Sequence, residues 1–236
     1  MVTGGSSGIG AELARRYAAE GAEVWAVARR EQALAAVAAA CPPGAVRPVA
    51  ADLTTEAGRR AVATSVERSG GALDVVVHAA GILGPVGITL AEYPADAWHA
   101  VFAANVSAVH FLHQHLAPHL ARGHRPVVVG VSSTVGRMGR ATWGMYAVSK
   151  FALEGWLEVL ADEWDGRVYS VNPGGTATPM RAAAVPGEDP DTIPSPADVA
   201  PLFLRLAHPD APEPGGAKLE ARRWIGRDPW EGLRRR

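Results

Sequence analysis

The chain of 236 residues has little cysteine, little net charge and no long apolar run, and each of these scarcities excludes a class of protein. Its single cysteine, Cys41, cannot form an internal disulfide, which excludes a small secreted domain held together by disulfides. The 23 Lys and Arg residues nearly balance the 24 Asp and Glu residues, so the overall charge gives no basis for binding nucleic acid or a membrane surface. No apolar stretch is long enough to span a bilayer, and no basic and then apolar leader precedes a cleavage site. We therefore expect a cytoplasmic protein that binds neither nucleic acid nor membranes.

Short β-branched runs alternate with longer segments rich in Ala, Leu and Glu. Hydrophobic residues make up 48% of the chain, which is enough for one full core. Runs that are apolar on both faces are typical of strands buried between two helical layers. The alternation predicts an α/β fold in three layers, a doubly wound parallel sheet with helices on both faces, as one domain over residues 1–236. The predicted strands are Val24–Ala28, Val46–Ala50, Val75–His78, Val127–Val131 and Val168–Val171, and the predicted helices are Ala11–Glu20, Gln32–Ala40, Glu56–Ser69, Trp98–Ala121 and Ala147–Trp164.

Two segments interrupt this alternation. Residues 173–196 contain several Pro and Gly residues and few periodic apolar residues, so we expect a long loop with at most one short helix. Residues 211–236 are similarly irregular and end in three arginines, Arg234–Arg236. Loops of this length inside a compact domain are usually lids or interaction segments, so both segments are candidates for a role in function.

A glycine-rich turn lies between the first strand and the first predicted helix. It reads Thr3-Gly4-Gly5-Ser6-Ser7-Gly8-Ile9-Gly10. Glycines here allow a tight turn and the close approach of a pyrophosphate, and the helix N-terminus offers free N–H groups to phosphates. Taken alone, these glycines could equally form an ordinary turn. Their spacing, at positions 4, 8 and 10, resembles that of the short-chain dehydrogenase/reductase family, which implies a Rossmann-type fold and a nicotinamide cofactor.

The end of the second strand bears on the choice of cofactor. An acidic residue there would bind the adenosine ribose of NAD, but the sequence has Ala28 followed by Arg29 and Arg30. A guanidinium can pair with a 2′-phosphate through two charge-assisted hydrogen bonds. The alternative is a solvated basic start of the next helix. We predict NADP(H) rather than NAD(H).

Four further residues extend the resemblance. Tyr146 and Lys150 lie four residues apart and therefore on one face of a helix, and Ser133 lies 13 residues before Tyr146, just past a strand. That position is at the carboxyl edge of the sheet, where α/β proteins bind ligands. Together with Asn105, within the preceding long helix, these residues match the family's catalytic tetrad in order and spacing. The resemblance covers about residues 3–206, is to the single-domain branch, and is strongest to a bacterial subgroup of oxidoreductases, which adds no substrate.

The resemblance implies transfer of a hydride between NADP(H) and a carbonyl or secondary alcohol. A free tyrosine has a pKa of about 10, which a neighbouring ammonium and the positively charged nicotinamide would lower. Tyr146 would then act as the general acid or base, and Ser133 would polarise the same oxygen. Lys150 would also hold the nicotinamide ribose, and Asn105 would anchor a water that relays protons from Lys150.

The predicted cofactor contacts follow the edge of the sheet. Asp52 matches a family residue that contacts the adenine edge, although it could instead be only a helix N-cap. The segment His78-Ala79-Ala80-Gly81 replaces the family's usual Asn-Asn-Ala-Gly, which removes side-chain hydrogen bonds that brace the central strands. The full set is Thr3, Gly4, Ser6, Ser7, Gly8, Ile9, Gly10, Arg29, Arg30, Asp52, Leu53, Ala79, Ala80, Gly81, Asn105, Tyr146, Lys150, Pro173, Gly174, Thr176 and Thr178.

Residues near the same edge are candidates for binding the substrate. Trp143 and Met180 could wall an apolar pocket or serve only as packing. Three arginines could attract an anionic or acyl-carrier-linked substrate or could be solvated surface residues: Arg137, Arg140 and Arg181. By resemblance, the loop at about residues 179–196 would close over a bound small molecule.

Other features carry weaker hypotheses. The predicted helix 98–121 holds four histidines, two of them at metal-binding spacing, but no acidic or cysteine partner follows, so we predict no metal: His110, His113, His115 and His119. The resemblance implies a homodimer or homotetramer formed through this helix and the helix that bears Tyr146. A regulatory NADP-binding protein with little turnover is the alternative function, and the intact tetrad counts against it. A nucleic-acid-binding protein is suggested only by the basic tail, residues 222–236, and the balanced charge counts against it.

Overall fold

The structure of the protein, a computed structural model, describes residues 1–233; the three arginines at the end of the predicted basic tail, Arg234–Arg236, lie outside the described residues. Within residues 1–233, seven parallel strands form a single sheet in the order β3-β2-β1-β4-β5-β6-β7. The strands are β1 Val2–Thr3, β2 Val24–Ala28, β3 Val46–Ala50, β4 Val75–His78, β5 Val127–Val131, β6 Arg167–Asn172 and β7 Lys218–Glu220.

The sheet is wound in two directions from its centre. The chain runs from β1 outward to β3, crosses back to β4 on the other side of β1, and then continues outward to β7. Val2 of β1 is in register with Ala26 on one side and Val77 on the other. The strand order therefore reverses between β1 and β4, where a crevice opens at the carboxyl ends of the strands. The predicted Rossmann-type α/β fold is confirmed.

Helices cover both faces of the sheet, which explains why the strands are apolar on both sides. On one face, Val77 and Val129 pack with residues of α1, α2 and α8, including Leu13 and Phe203. On the other face, Val76, Val128 and Val168 pack with residues of α3, α5 and α6. Alternate residues of each strand thus enter two separate cores. The helices are α1 Gly8–Ala19, α2 Glu31–Ala39, α3 Glu56–Glu67, α4 Ala95–Phe102, α5 Ala108–Leu120, α6 Gly144–Glu163, α7 Pro179–Ala184 and α8 Pro196–Ala207.

The single helix predicted over Trp98–Ala121 is wrong in one respect. The structure has α4 and α5 joined by a wide π-helical turn at Ala103–Ser107. Asn105 lies in this turn, and its side chain leaves the helix to hydrogen-bond the backbone N–H and C=O of Ile82 at 2.8 and 2.9 Å. These contacts bind the turn to the loop after β4, and such π-bulges occur often at functional sites.

The C-terminal part is more regular than predicted. Residues 173–196 contain α7 and a 3₁₀ turn, and α8 follows with a capping box between Ser195 and Asp198. In the segment predicted to be irregular, β7 pairs with β6, with Glu220 opposite Asn172, and a 3₁₀ turn follows at Ala221–Trp224. Among residues 1–233, no helix has both the length and the apolar character needed to cross a bilayer.

Candidate active site

A groove follows the carboxyl edge of the sheet across the point where the strand order reverses. It consists of one cavity of about 460 Å³ beside Tyr146 and a second of about 430 Å³ beside Arg29. Both cavities are lined by Gly4 and Gly81, so they form one continuous groove. Of the predicted cofactor contacts, those that line it are Gly4, Ser6, Ser7, Gly8, Ile9, Gly10, Arg29, Arg30, Asp52, Leu53, Ala79, Ala80, Gly81, Tyr146, Lys150, Pro173, Gly174, Thr176 and Thr178.

The glycine turn is compact because side chains are excluded from it. Gly4 adopts φ +70°, and a Cβ there would lie 2.9 Å from the carbonyl oxygen of Ala79. A Cβ on Gly10 would collide with the carbonyl of Gly4. Helix α1 then begins at Gly8, and its N-cap residue, Ser7, makes no side-chain capping hydrogen bond. The first N–H groups of α1 are thus left without a side-chain acceptor beside the groove, which is the arrangement that binds phosphates.

Of the predicted cofactor contacts, Thr3 and Asn105 are buried and do not line the groove, and a direct contact with the cofactor stays a prediction for both. The hydroxyl oxygen of Thr3 accepts hydrogen bonds from the N–H groups of Ala79 and Ala80 at 3.1 and 3.0 Å. These bonds connect β1 to the end of β4, and the contacts of Asn105 with Ile82 connect the following loop to the π-helical turn between α4 and α5. Thr3 and Asn105 therefore brace the central strands where the family's usual asparagines are missing.

Arg29, Arg30 and Asp52 line the far end of the groove. Arg30 donates a hydrogen bond to the Ser6 hydroxyl at 3.3 Å. The Asp52 carboxylate accepts hydrogen bonds from the hydroxyl and the N–H of Thr54, which hold its pKa below the usual value. Asp52 is not the N-cap of α3, because Thr55 occupies that position and accepts the N–H of Gly58.

Ser133, Tyr146 and Lys150 come together at the near end of the groove. Ser133 follows β5, and the other two lie on the first turns of α6. Lys150 Nζ donates to the carbonyl of Val131 at 2.8 Å and lies 5.7 Å from the centre of the Tyr146 ring. Burial lowers the pKa of Lys150 to about 8, and the negative charge of Glu154 opposes this.

The predicted lowering of the Tyr146 pKa is not produced by Lys150 alone. Burial raises the pKa of Tyr146 above its usual value, and the neighbouring Ser133 hydroxyl opposes the increase without cancelling it. In the protein by itself, the loss of hydration of a phenolate outweighs the hydrogen bond from Ser133. Positive charge brought to the site would oppose the effect of burial.

A model of the short chain dehydrogenase family matches residues 1–189. The protein belongs to this family. Among similar proteins, uncharacterized oxidoreductase YciK of Escherichia coli (strain K12) is 41% identical over 94% of this chain and 90% of its own length. A structure from Shigella flexneri 2a (strain 301), described as a short chain dehydrogenase complexed with NADP, has 41% identity and a TM-score of 0.86 over 93% of this chain and 95% of its own. One from Escherichia coli CFT073, complexed with NADPH, has 41% identity and a TM-score of 0.87 over 93% and 94%.

In this short chain dehydrogenase, the turn after β6 closes one side of the groove. The Asn172 side chain accepts the N–H of Gly174 at 2.9 Å and donates to Thr134 Oγ1 at 3.1 Å. Gly174 adopts φ +70°, which favours glycine. The Thr178 hydroxyl accepts the N–H of Arg181 at 3.2 Å and so caps α7. The turn is thus held by its own side chains before any ligand binds.

The apolar wall of the near cavity consists of predicted residues that also pack. Trp143 and Met180 line the cavity and pack against Val135 and Tyr146. The Trp143 and Tyr146 rings lie 6.0 Å apart between centroids. Several residues of the predicted substrate loop border the same cavity: Pro179, Met180, Arg181, Ala184, Glu188 and Ile193.

The three predicted arginines have different surroundings. Arg181 forms two hydrogen bonds with Glu188, at 2.5 and 2.6 Å. Arg137 does not line the groove; its side chain is partly buried and pairs with Glu154 at 2.9 Å and Glu220 at 2.6 Å, so it neither faces a ligand nor is fully solvated. Arg140 lines the cavity and is exposed.

Sequence reasoning missed Glu154, Glu220 and Arg222. Glu154 follows Lys150 by one helical turn, and this spacing alone could have indicated it. Glu220 and Arg222 come from the C-terminal segment, and no local pattern connects them with the site.

The four histidines of α5 have separate partners. Within residues 1–233, no group of three or more His, Cys, Asp or Glu side chains is arranged to hold a metal ion. His110 accepts a hydrogen bond from Trp156, His113 packs edge-on against Trp156 and Trp164, His115 pairs with Glu56, and His119 contacts the carbonyl of Gly71.

Proposed function

We propose that this protein is an NADP(H)-dependent oxidoreductase that transfers a hydride between the nicotinamide and a carbonyl or secondary alcohol of a small molecule. The observation that carries the proposal is that Ser133, Tyr146 and Lys150 line one cavity, and that this cavity is continuous with a groove whose glycine turn is suited to binding phosphates. Relatives of 41% identity that are complexed with NADP and NADPH support it. A cytoplasmic location stays a prediction from the sequence.

The groove fits a dinucleotide. The glycine turn has no room for side chains, and the start of α1 has no side-chain cap, so a pyrophosphate could approach the backbone there. Arg29 and Arg30 would hold a 2′-phosphate, because neither forms a salt bridge within residues 1–233 and Ala28 takes the place of an acidic residue. Backbone at Thr176 would bind the carboxamide, and the Thr178 hydroxyl would bind the carboxamide or a phosphate.

Tyr146 would exchange a proton with the substrate oxygen. The nicotinamide, when bound, supplies or accepts the hydride. The Tyr146 hydroxyl donates its proton to the carbonyl oxygen in reduction and takes it back in oxidation. The Ser133 hydroxyl donates a hydrogen bond to the same oxygen and stabilises its developing charge. The Lys150 ammonium stabilises the phenolate that remains, and its pKa of about 8 keeps it largely protonated at neutral pH.

Replacing Tyr146 by phenylalanine tests this role. We expect Tyr146→Phe to abolish consumption of NADPH across a panel of aldehydes and ketones, while tryptophan fluorescence reports unchanged NADPH binding. Tyr93→Phe is the matched control, since Tyr93 does not line the groove. Retained turnover in Tyr146→Phe contradicts the proposed mechanism. Intact NADPH binding with no turnover in the wild type would favour the regulatory alternative.

We also propose a homodimer or homotetramer formed through α5 and α6. Both helices have exposed apolar side chains on their outer surface, Phe111 on α5 and Phe151 and Val159 on α6. Exposed apolar residues on neighbouring helices are typical of a subunit contact. Sedimentation of a clean monomer at micromolar concentration contradicts this proposal.

A further inference from the structure

Arg222 reaches the cavity from the C-terminal segment, outside the residues that the family model matches. Its position is set by β7, whose residue Glu220 lies opposite Asn172 of β6. The Glu220 carboxylate accepts hydrogen bonds from Arg137 at 2.6 Å and from Asn172 at 2.9 Å. Two residues later, Arg222 is therefore held beside the turn that follows Asn172.

The Arg222 guanidinium lies across the two glycines of this turn. It donates a hydrogen bond to the carbonyl of Gly175. A Cβ on Gly174 would lie 2.5 Å from Arg222 Nε, and one on Gly175 would lie 3.3 Å from Nη2. The side chain thus occupies space that exists only because both residues are glycine. The hydrogen bond to Gly175 and the close approach to both glycines hold the Arg222 side chain at the wall of the cavity.

The cavity has more positive charge than its own carboxylate can neutralise. Arg181 is already paired with Glu188 through two hydrogen bonds. Among the ion pairs of residues 1–233, none involves Arg140 or Arg222, although both line the cavity; Arg222 acts on Glu188 only through a long-range charge interaction, weaker than that of Arg181. A guanidinium has five N–H donors, and Gly175 takes one from Arg222. The remaining donors can bind a carboxylate or phosphate oxygen in the geometry that arginine favours.

The rest of the cavity wall is apolar, including Trp143, Met180 and Ile193. We propose that the substrate has an apolar body and an anionic group, a carboxylate or a phosphate monoester, which Arg222 binds while the substrate's carbonyl lies at Tyr146. This inference rests on the proposed function, because it assigns a substrate class to the same site.

The test compares anionic and neutral ligands in the wild type, in Arg222→Gln and in Arg223→Gln. Arg223 is the matched control, since it is adjacent to Arg222, is exposed as Arg222 is, and does not line the cavity. Tryptophan fluorescence of the NADPH complex measures the binding of an aryl carboxylate, the corresponding aryl phosphate and the neutral amide. In parallel, kcat/KM is measured for a series of aryl keto acids and their methyl esters.

We expect the wild type to prefer an anion over the amide, and Arg222→Gln to weaken anion binding and kcat/KM for the acid by about 10- to 100-fold, as for the loss of a charged hydrogen bond. Arg223→Gln should change anion binding and kcat/KM for the acid by less than about twofold each, as for a solvated surface charge. Whichever of the aryl carboxylate and the aryl phosphate binds more tightly identifies the anionic group that the cavity prefers. Far-UV circular dichroism and NADPH binding check that Arg222→Gln is folded.

Three results would overturn the inference. The first is that the wild type binds the amide as tightly as the anions. The second is that anion binding weakens equally in Arg222→Gln and Arg223→Gln. The third is that Arg222→Gln weakens only the binding of NADPH, which would assign Arg222 to the cofactor's phosphates. Failure of the proposed function is distinct. If the proposed function fails, anions still bind in a way that depends on Arg222, but neither the keto acids nor their esters are reduced. If the keto acids and their esters are reduced equally well, the proposed function holds and the inference is overturned.

Discussion

Replacing Arg137 by methionine removes two ion pairs and a hydrogen bond that connect three elements of the fold next to the site. Arg137 donates to Glu154 on α6, to Glu220 on β7 and to the Ser170 hydroxyl on β6 at 2.9, 2.6 and 2.9 Å. The side chain of Glu154 is only 4% exposed and that of Arg137 21%, so the variant leaves Glu154 as a buried charge that keeps its weaker ion pair with Lys218, at 3.7 Å. Breaking a buried pair costs about 3–5 kcal/mol, and we expect the lower end, about 3 kcal/mol, because Arg137 is partly hydrated and Lys218 remains.

The pH dependence of this loss provides a second check. Burial alone would raise the pKa of Glu154, but the Ser132 and Ser170 hydroxyls and Arg137 together hold it below its usual value. The pair therefore stabilises the wild type above the unfolded pKa of glutamate, about 4.3, and this contribution is lost as the pH falls through the lower folded pKa. In Arg137→Met the pKa of Glu154 rises, so protonation relieves the buried charge and the deficit shrinks toward acidic pH.

Urea unfolding followed by far-UV circular dichroism measures the free energy of unfolding at neutral and mildly acidic pH. Arg15→Met is the control, because Arg15 pairs with Glu12 at the surface and should contribute about 0–1 kcal/mol. Adding Glu154→Gln to Arg137→Met should recover much of the loss, since the amide carries no charge. The reasoning is refuted if Arg137→Met loses no more than the control, or if the double variant is less stable than the single one.

Three other predictions follow from the groove and its surroundings. Arg29→Ala should weaken NADPH binding at least about tenfold and leave NADH binding nearly unchanged, as measured by fluorescence titration; equal losses contradict pairing with the 2′-phosphate. Glu154→Gln removes a charge that raises the pKa of Lys150, so the alkaline limit of the kcat/KM profile should move about one pH unit lower, and an unmoved limit contradicts this. Burial lowers the pKa of His78 to about 3, with a smaller effect of His113, and lowers the pKa of His113 to about 4, with a smaller effect of His110; each histidine should therefore reduce stability by about 1.4 kcal/mol per pH unit below about pH 6.5. His78→Asn should remove the part of the slope that is due to His78 in thermal unfolding, and an unchanged slope contradicts this.

The fold could be predicted where the physical cause is local. Strands such as Val127–Val131 are apolar on both faces because helices cover both, and that pattern is visible in the sequence. Strand β7 could not be predicted, since Leu219 is its single apolar residue and its pairing comes from β6. The wide turn at Ala103–Ser107 was equally hidden, because it depends on contacts between Asn105 and Ile82.

In the candidate site, too, the residues that could be predicted are those whose position has a local cause, and the others depend on contacts distant in sequence. Ser133, Tyr146 and Lys150 follow from motif spacing and from the rule that parallel strands end at one edge of the sheet. Arg137 was misjudged, because its partners lie on α6 and β7 and neither partner is near it in sequence. Arg222 could not be placed, since its position depends on the register of β7 with β6.

The late position of β7 separates two tasks along the chain. The glycine turn, Arg29 and the Tyr146–Lys150 helix turn all belong to the first 189 residues, the part shared with the family model. Arg222 is attached to the outermost strand and touches the cavity only at its wall. We therefore expect substitutions in this short C-terminal stretch to change which ligand group the cavity accepts, while the glycine turn, Arg29 and the Tyr146–Lys150 helix turn stay in place.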